Sequence, residues 1–191
     1  MNDWLTASKP LIIGHRGASA ELPENTLGAF RLAQEQGADG VELDVYVSAD
    51  NVPVIIHDES LERTTNGTGF VWDFTAAELQ QIDAGNGEPV PTLAQLFELC
   101  GSDFLYNVEI KAYGARAEAC ARAVYDCIAA HNMTRQTAIS SFDHEAMRWA
   151  QRLVLPDVAL GMLRVDSSPP TPSFLQPQAH HPHYSMVDAA Y

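Results

Sequence analysis

A regular alternation of short apolar runs with helix-length amphipathic segments is the feature that most constrains the fold. The runs that we interpret as strands lie near residues 10–14, 38–47, 52–56, 104–111, 136–140, 158–163 and 184–187. Most neighbouring runs are separated by a segment with helical periodicity or a helix-capping residue, such as Thr26, Thr92 or Asp143. Strands that alternate with helices in this way predict a parallel sheet, either open or closed into a barrel.

Length and loop composition indicate how the chain is divided. With 191 residues, we expect a single domain over residues 1–191. Residues 58–91 interrupt the alternation with loop chemistry and a short helix capped by Thr75 and Glu78, which predicts a small insertion. Residues 165–191 are rich in proline and serine, and we expect an irregular tail there.

Charge excludes several classes of partner. The formal net charge of −14 argues against binding to nucleic acid or to an anionic membrane surface, both of which need basic patches. A ligand that carries phosphate would need a site of positive local charge on this negatively charged protein. A bound divalent cation supplies such a charge. The N-terminus lacks the pattern of a signal peptide, no run is long enough for a membrane anchor, and the three cysteines suit buried positions in a reducing compartment. We therefore expect a cytoplasmic protein.

Three acidic residues occupy the polar faces of two predicted strands. Strand periodicity places Glu42 and Asp44 together, and Glu109 has the corresponding place in the run 104–111. Their carboxylates can converge on one ion, because residues two apart on a strand are roughly 6.5–7 Å apart. Such close charges repel strongly without a cation, and an all-oxygen set suits Mg²⁺ or Ca²⁺. The alternative is that Glu42 and Asp44 face water on a half-buried strand.

Two histidines and two cations accompany these acids at strand ends or on strand faces. His15 follows the run 10–14, and His57 follows the run 52–56. A pair of imidazoles around a metal site is suited to proton transfer at an ester. Arg16 and Lys111 can hold the non-bridging oxygens of a phosphate, although each alone would be an ordinary surface cation.

Seven motifs in order carry a family resemblance. They are Gly14-His15-Arg16-Gly17, Pro23-Glu24-Asn25-Thr26, Gly40-Val41-Glu42-Leu43-Asp44-Val45, Pro53-Val54-Ile55-Ile56-His57-Asp58, Leu61-Glu62-Arg63-Thr64-Thr65, Pro91-Thr92-Leu93 and Val108-Glu109-Ile110-Lys111. Together they resemble the glycerophosphodiester phosphodiesterases, from residue 11 to about 111 and more loosely to about 163. Several motifs in register make the resemblance specific.

The resemblance implies a fold and an activity. The fold would be an α/β TIM (β/α) barrel of the phospholipase C-like phosphodiesterase type, with a small insertion after the second strand. The enzyme would cleave a small-molecule glycerophosphodiester to sn-glycerol 3-phosphate and an alcohol such as choline, through a cyclic phosphate formed by the neighbouring glycerol hydroxyl. The implied roles are catalytic acid and base for His15 and His57, divalent metal ligands for Glu42, Asp44 and Glu109, and substrate-binding for Arg16 and Lys111.

The chain is short for a whole barrel. A TIM barrel typically needs about 250 residues. The run 52–56 reads as a continuation of the second barrel strand, which leaves about six strands, so we expect the barrel to be short by about two C-terminal βα units. Three explanations stay open: an incomplete sequence, a second copy that covers the gap in a homo-oligomer, or an unusual fold of the tail from Val165.

Two other functions stay open at this point. One is a phospholipase D-like lyase that acts on lysophospholipids, and the other is a truncated protein that binds metal or anions without catalysis. The leaving alcohol, the choice between Mg²⁺ and Ca²⁺, and which histidine is the acid also stay open. The cluster of His180, His181 and His183 is predicted to be a solvated loop, with a transition-metal site as its alternative.

Overall fold

The protein has an α/β architecture, seen in a computed structural model that describes residues 1–153, 155–165 and 167–182. The strands are β1 (Ile13–His15), β2 (Gly40–Val47), β3 (Pro53–Ile55), β4 (Leu105–Ile110), β5 (Thr137–Ser141), β6 (Ala159–Arg164) and β7 (Ala179–Pro182). The helices are α1 (Leu27–Glu35), α2 (Ala76–Leu79), α3 (Leu93–Cys100), α4 (Ala117–Ala130) and α5 (His144–Leu153). Short 3₁₀ turns cover Val71–Asp73 and Gly114–Arg116.

The strands form one sheet in the order β1-β2-β4-β5-β6-β7, in which neighbouring strands are parallel. The exception is β3, which pairs antiparallel with β2 and lies off this path. The predicted parallel sheet is therefore confirmed. The expectation that the run 52–56 continues the second strand is wrong, because the chain reverses at the turn that contains Asn51 and β3 pairs antiparallel with β2. Parallel strands place their carboxyl ends at one edge of the sheet, where α/β proteins build their sites.

The two faces of β2 differ as the period of a strand requires. Val41, Leu43 and Val45 are fully buried and belong to the main apolar core, which includes residues from α1, α3, α4 and α5. Glu42 and Asp44 lie on the opposite face. The sheet thus directs its branched side chains toward the helices and its acids toward the other side.

The predicted helix caps are present. Thr26 Oγ1 accepts a hydrogen bond from Ala29 N at 3.2 Å, and Asp143 Oδ1 accepts one from Ala146 N at 2.7 Å. Thr75 with Glu78 and Thr92 with Gln95 each form a capping box. These bonds satisfy backbone donors that the first turn of a helix otherwise leaves free.

The segment between β3 and α3 has an apolar cluster of its own. Leu61, Val71, Leu79 and Val90 are fully buried there. These contacts hold the loops of this segment beside the end of β3. The segment therefore has buried anchors from which polar side chains can reach toward the sheet.

The last described strand differs from the expectation of an irregular tail. Residues 179–182 pair with β6 in parallel, with Met162 opposite His180 and Leu163 opposite His181. The prediction of a solvated loop at these histidines is therefore wrong, because both belong to β7; His183 lies outside the described residues. The strand predicted at Tyr184–Val187 also lies outside them.

The remaining expectations concern cysteines and membranes. Cys100, Cys120 and Cys127 are free and buried, as small hydrophobic residues would be. Among the described helices, none has the length and apolar character that crossing a membrane demands.

Candidate active site

The three predicted metal ligands converge on one point. Asp44 on β2 lies opposite Glu109 on β4, and Glu42 lies two residues before Asp44 on the same face. Each offers a carboxylate oxygen, and these oxygens lie within 4.8 Å of one another. The geometry that the spacing predicts is therefore present among the described residues.

Burial and mutual repulsion make this cluster electrostatically unfavourable without a cation. The side chains of Asp44, Glu109 and Glu42 are 1%, 9% and 13% exposed. Burial, with the Asp44 charge next, raises the pKa of Glu42 to about 8, and burial also raises the pKa of Glu109. A buried carboxylate set of this kind fits a hard divalent cation such as Mg²⁺ or Ca²⁺, whose charge would favour the ionised forms.

Two cations already contact these carboxylates. Lys111 Nζ lies 3.0 Å from Glu109 Oε1 and 3.6 Å from Asp44 Oδ1, and Arg16 Nε lies 3.3 Å from Asp44 Oδ2. Burial alone would lower the pKa of Lys111, but Glu109 and Asp44 outweigh it and raise that pKa. Lys111 therefore stays charged beside the acidic cluster.

The turn that carries Arg16 requires its flanking glycine. Arg16 has a φ of 59° and Gly17 a φ of 82°, so the chain turns sharply after β1. A Cβ on Gly17 would lie 2.7 Å from the backbone carbon of Ala29, which leaves no room for a side chain. Arg16 N donates to the Glu42 backbone oxygen at 2.9 Å, which fixes the turn against β2.

His15 lies at the end of β1, beside the acidic cluster. Its Nε2 is 3.7 Å from Glu42 Oε2. Although its side chain is 70% exposed, partial desolvation and then the Arg16 charge lower its pKa. The imidazole of His15 is therefore mostly neutral at pH 7 and can accept a proton there.

His57 is held by a carboxylate on one side and faces an ammonium on the other. Its Nδ1 lies 2.6 Å from Asp58 Oδ1, and its Nε2 lies 3.3 Å from Lys111 Nζ. Asp58 is ionised because the hydrogen bond from Arg63, despite burial, lowers its pKa to about 2. An ionised carboxylate only accepts hydrogen bonds, so Nδ1 of His57 must carry a proton and Nε2 faces the cavity.

A cavity of about 390 Å³ brings these residues together. Its lining residues are His15, Arg16, Glu42, His57, Asn107, Glu109, Lys111, Phe142, Leu163, Arg164 and His181. Of the predicted site residues, only Asp44 is not in the lining, and it lies beneath the cavity in contact with Arg16 and Lys111.

Several residues around the site were not among the sequence predictions. Asn25 Nδ2 donates to Asp44 Oδ2 at 2.9 Å from a buried position with a φ of 59°. Asn25 could have been predicted as a site residue from its place in the motif 23–26. Phe142, Leu163, Arg164 and His181 close the cavity from β5, β6 and β7, and no spacing rule predicted them.

The fold and the site together define a class. This is an α/β protein in which acidic, basic and imidazole side chains gather at the carboxyl ends of parallel strands, as in barrel enzymes. The sequence matches the model of the glycerophosphoryl diester phosphodiesterase family over residues 15–189. The chain belongs to this family, and the predictions of the family and of an enzyme are confirmed.

Individual relatives agree with the family match. A glycerophosphodiester phosphodiesterase from Caldanaerobacter subterraneus subsp. tengcongensis is 44% identical over 163 residues, which cover 81% of this chain and 67% of that protein. One from Bacillus subtilis is 32% identical over 178 residues, which cover 82% of this chain and 61% of the relative. The chain thus spans about two thirds of the length of these relatives.

Solved structures agree as well. A phosphodiesterase from Oleispira antarctica, in complex with the product sn-glycerol-3-phosphate, superposes with a TM-score of 0.85 at 34% identity over 94% of this chain and 77% of that one. A glycerophosphodiester phosphodiesterase from Agrobacterium tumefaciens gives 0.72 at 37% identity, over 81% and 67% of the two chains. The family has the TIM barrel fold, of which the described parallel strands form a part.

Proposed function

We propose that this protein hydrolyses glycerophosphodiesters to sn-glycerol 3-phosphate and an alcohol, with the help of a divalent cation. The observation that carries the proposal is the convergence of Glu42, Asp44 and Glu109 within 4.8 Å, in a cavity that His15 and His57 also line. The similar Oleispira antarctica phosphodiesterase binds sn-glycerol-3-phosphate, which supports the same product here.

The substrate phosphate would be bound by a divalent cation and by two basic side chains. Glu42, Asp44 and Glu109 would hold Mg²⁺ or Ca²⁺, which supplies Lewis-acid stabilisation of phosphoryl oxygens when bound. Arg16 and Lys111 donate hydrogen bonds to the non-bridging oxygens and orient the ester. Their contacts with Asp44 and Glu109 keep both cations at the floor of the cavity before substrate arrives.

The two histidines move the protons. One imidazole takes the proton from the attacking hydroxyl, which is the neighbouring glycerol hydroxyl, while the other protonates the oxygen of the departing alcohol. The new phosphorus–oxygen bond closes a cyclic phosphate, and water then opens it with the two proton transfers reversed. Asp58 accepts the proton of His57 Nδ1, so His57 acts through Nε2, which lies beside Lys111 Nζ.

Turnover of glycerophosphocholine tests the proposal. We expect sn-glycerol 3-phosphate and choline in stoichiometric amounts with Mg²⁺ or Ca²⁺, and loss of turnover after EDTA treatment that either metal restores. Full activity in metal-free buffer would overturn the metal role. A cyclic phosphate as the final product from a lysophospholipid would instead identify the lyase alternative.

A second substrate assigns the histidines. A p-nitrophenyl ester of glycerol phosphate has a leaving group that needs no proton, so the variant that lacks the general acid should recover most of its rate on this ester. We compare His15→Ala and His57→Ala on both substrates. Equal loss on the two esters in both variants would contradict the division of roles.

We include a cytoplasmic location in the proposal. Three free, buried cysteines, Cys100, Cys120 and Cys127, suit a reducing compartment. Fractionation of cells that express the full-length protein, followed by immunodetection, tests this location, and recovery in a secreted or membrane fraction would contradict it.

A further inference from the structure

A single guanidinium from the insertion contacts two carboxylates that lead into the site. Arg63 Nη2 lies 2.8 Å from Glu24 Oε1 and 3.2 Å from Asp58 Oδ1, and Arg63 Nε also donates to Asp58 Oδ2. Arg63 does not line the cavity. Among the described residues, its contacts with the site run through these two acids.

Each of the two acids holds a residue of the candidate site. Asp58 Oδ1 accepts from His57 Nδ1 at 2.6 Å. Glu24 Oε1 accepts from Arg16 Nη1 at 3.0 Å. One chain of contacts therefore runs from Arg63 to the imidazole after β3, and a second runs from Arg63 to the guanidinium after β1.

The contacts keep both acids ionised and in fixed positions. The hydrogen bond from Arg63 is the main influence that lowers the pKa of Asp58 to about 2, and it exceeds the opposite effect of burial. Burial would raise the pKa of Glu24, but hydrogen bonds and charge from Arg63 and Arg16 lower it. Both acids are therefore acceptors, and the contacts with Arg63 hold Asp58 against His57 Nδ1 and Glu24 against Arg16 Nη1.

The backbone of Arg63 is anchored rather than free. Leu61 is fully buried in the apolar cluster of the insertion, and Thr65 N donates to Leu61 O at 3.1 Å. The Arg63 side chain is nevertheless 47% exposed. An exposed ion pair contributes little to stability, so a contribution to folding is a weak reason for this arrangement.

We propose that Arg63 is a positioning residue that links His57 to Arg16 through Asp58 and Glu24, so that the base or acid and the phosphate-binding cation are held in one geometry. This inference rests on the proposed function for its readout in turnover. The planar fork of arginine suits the role, because it donates to two carboxylates at fixed angles, which an ammonium cannot do.

The first experiment separates the two chains of contacts by steady-state kinetics on glycerophosphocholine. We expect Arg63→Ala to lower kcat/KM by about 10–100-fold, the size of effect that a misplacement near 1 Å produces. Asp58→Asn should reproduce mainly the loss in kcat, and Glu24→Gln mainly the rise in KM. Arg122→Ala, which removes an exposed pair with Glu118, is the matched control and should stay within about twofold of the wild type.

Non-additivity and rescue distinguish positioning from a general weakening of the fold. The double variant Arg63→Ala/Asp58→Asn should have a kcat no lower than that of the worse single variant. Millimolar guanidinium, far below denaturing concentrations, should restore part of the activity of Arg63→Ala but none of that of His57→Ala. Arg63→Lys should have only part of the wild-type activity, because lysine restores the charge but not the planar guanidinium group. Full wild-type activity in Arg63→Lys would overturn the proposal.

A measurement without substrate keeps the inference separate from the proposed function. Long-range ¹H–¹⁵N spectra of the histidine rings should show His57 in the Nδ1-protonated form in the wild type. In Arg63→Ala they should show a mixture, because Arg63 no longer holds the Asp58 carboxylate against Nδ1. Failure of the wild type to cleave glycerophosphodiesters would overturn the proposed function, while these spectra would still decide the role of Arg63. An unchanged His57 spectrum in Arg63→Ala would overturn the inference.

Discussion

The cavity has two unlike walls. The first wall comes from β1 to β4 and carries almost all of the charge, in His15, Arg16, Glu42, His57, Glu109 and Lys111. The second wall comes from the end of β5, from β6 and from β7, and it presents Phe142, Leu163, Arg164 and His181. The difference teaches that charge and shape come from separate parts of the chain. The first wall holds the side chains for which we propose proton transfer and phosphate binding, and the second wall mainly bounds the cavity.

Loss of an imidazole from the first wall should have the largest effect. We expect His15→Ala and His57→Ala each to lower kcat on glycerophosphocholine by about 10²–10⁴-fold, because each removes one proton transfer. Circular dichroism of both variants should match the wild type. A loss below about fivefold in either variant would remove that histidine from the mechanism.

Loss of one carboxylate from the same wall comes next. Glu42→Gln keeps the shape of the side chain and removes one charge from the three-carboxylate set, so we expect a loss of about 10²–10³-fold in kcat/KM. Isothermal titration should show weaker binding of Mg²⁺ or Ca²⁺. Glu118→Gln, far from the cavity in α4, is the control and should bind metal as the wild type does.

A change in the second wall should affect binding more than the chemical step. Phe142 is 39% exposed at the cavity, and Phe142→Ala removes an apolar surface without touching a charged group. We expect KM to rise by about tenfold while kcat changes by less than about threefold. The KM of Phe142→Leu should lie between those of the wild type and Phe142→Ala. A kcat loss as large as that of the histidine variants would erase the distinction between the walls.

Stability against pH should give the smallest effect. The folded pKa of Glu42 is about 8, above its ordinary value of 4.5, so the folded protein keeps a proton that the unfolded chain has lost between these values. The metal-free protein should therefore lose stability as pH rises through this range, which a decrease in Tm would show. Saturating Mg²⁺ should remove this dependence of Tm on pH, because the ion replaces the proton on Glu42. A dependence that metal leaves unchanged would contradict the proposed metal site.

The first wall could be predicted from sequence because its information is local. Period two placed Glu42 and Asp44 on one face of β2, and His15 and His57 each followed a short apolar run. The same periodicity placed Glu109 in the run 104–111, and Arg16 and Lys111 followed as nearby cations. The resemblance to the family then implied a role for each of these residues. Neither source predicted the contact between Glu24 and Arg63, because it joins loops 39 residues apart that have no periodicity.

The second wall could not be predicted for a related reason. β7 follows a proline-rich segment and consists of only four residues, Ala179–Pro182, so its pattern is too short to read as a strand. It is a strand because it pairs with β6, which is a non-local contact. The cluster at His180 and His181 therefore looked like a solvated loop, and only the register shows that His181 faces the cavity.

Gly161 on β6 has a consequence for related sequences. A methyl group at this position would lie 2.7 Å from Cε1 of His181, so the ring occupies the space that a side chain at 161 would need. The side chains at positions 161 and 181, on neighbouring strands, therefore compete for the same space. Across evolution, a larger residue at 161 should appear only together with a smaller one at 181, and the pair would then vary as a unit that sets how wide the cavity opens on that side.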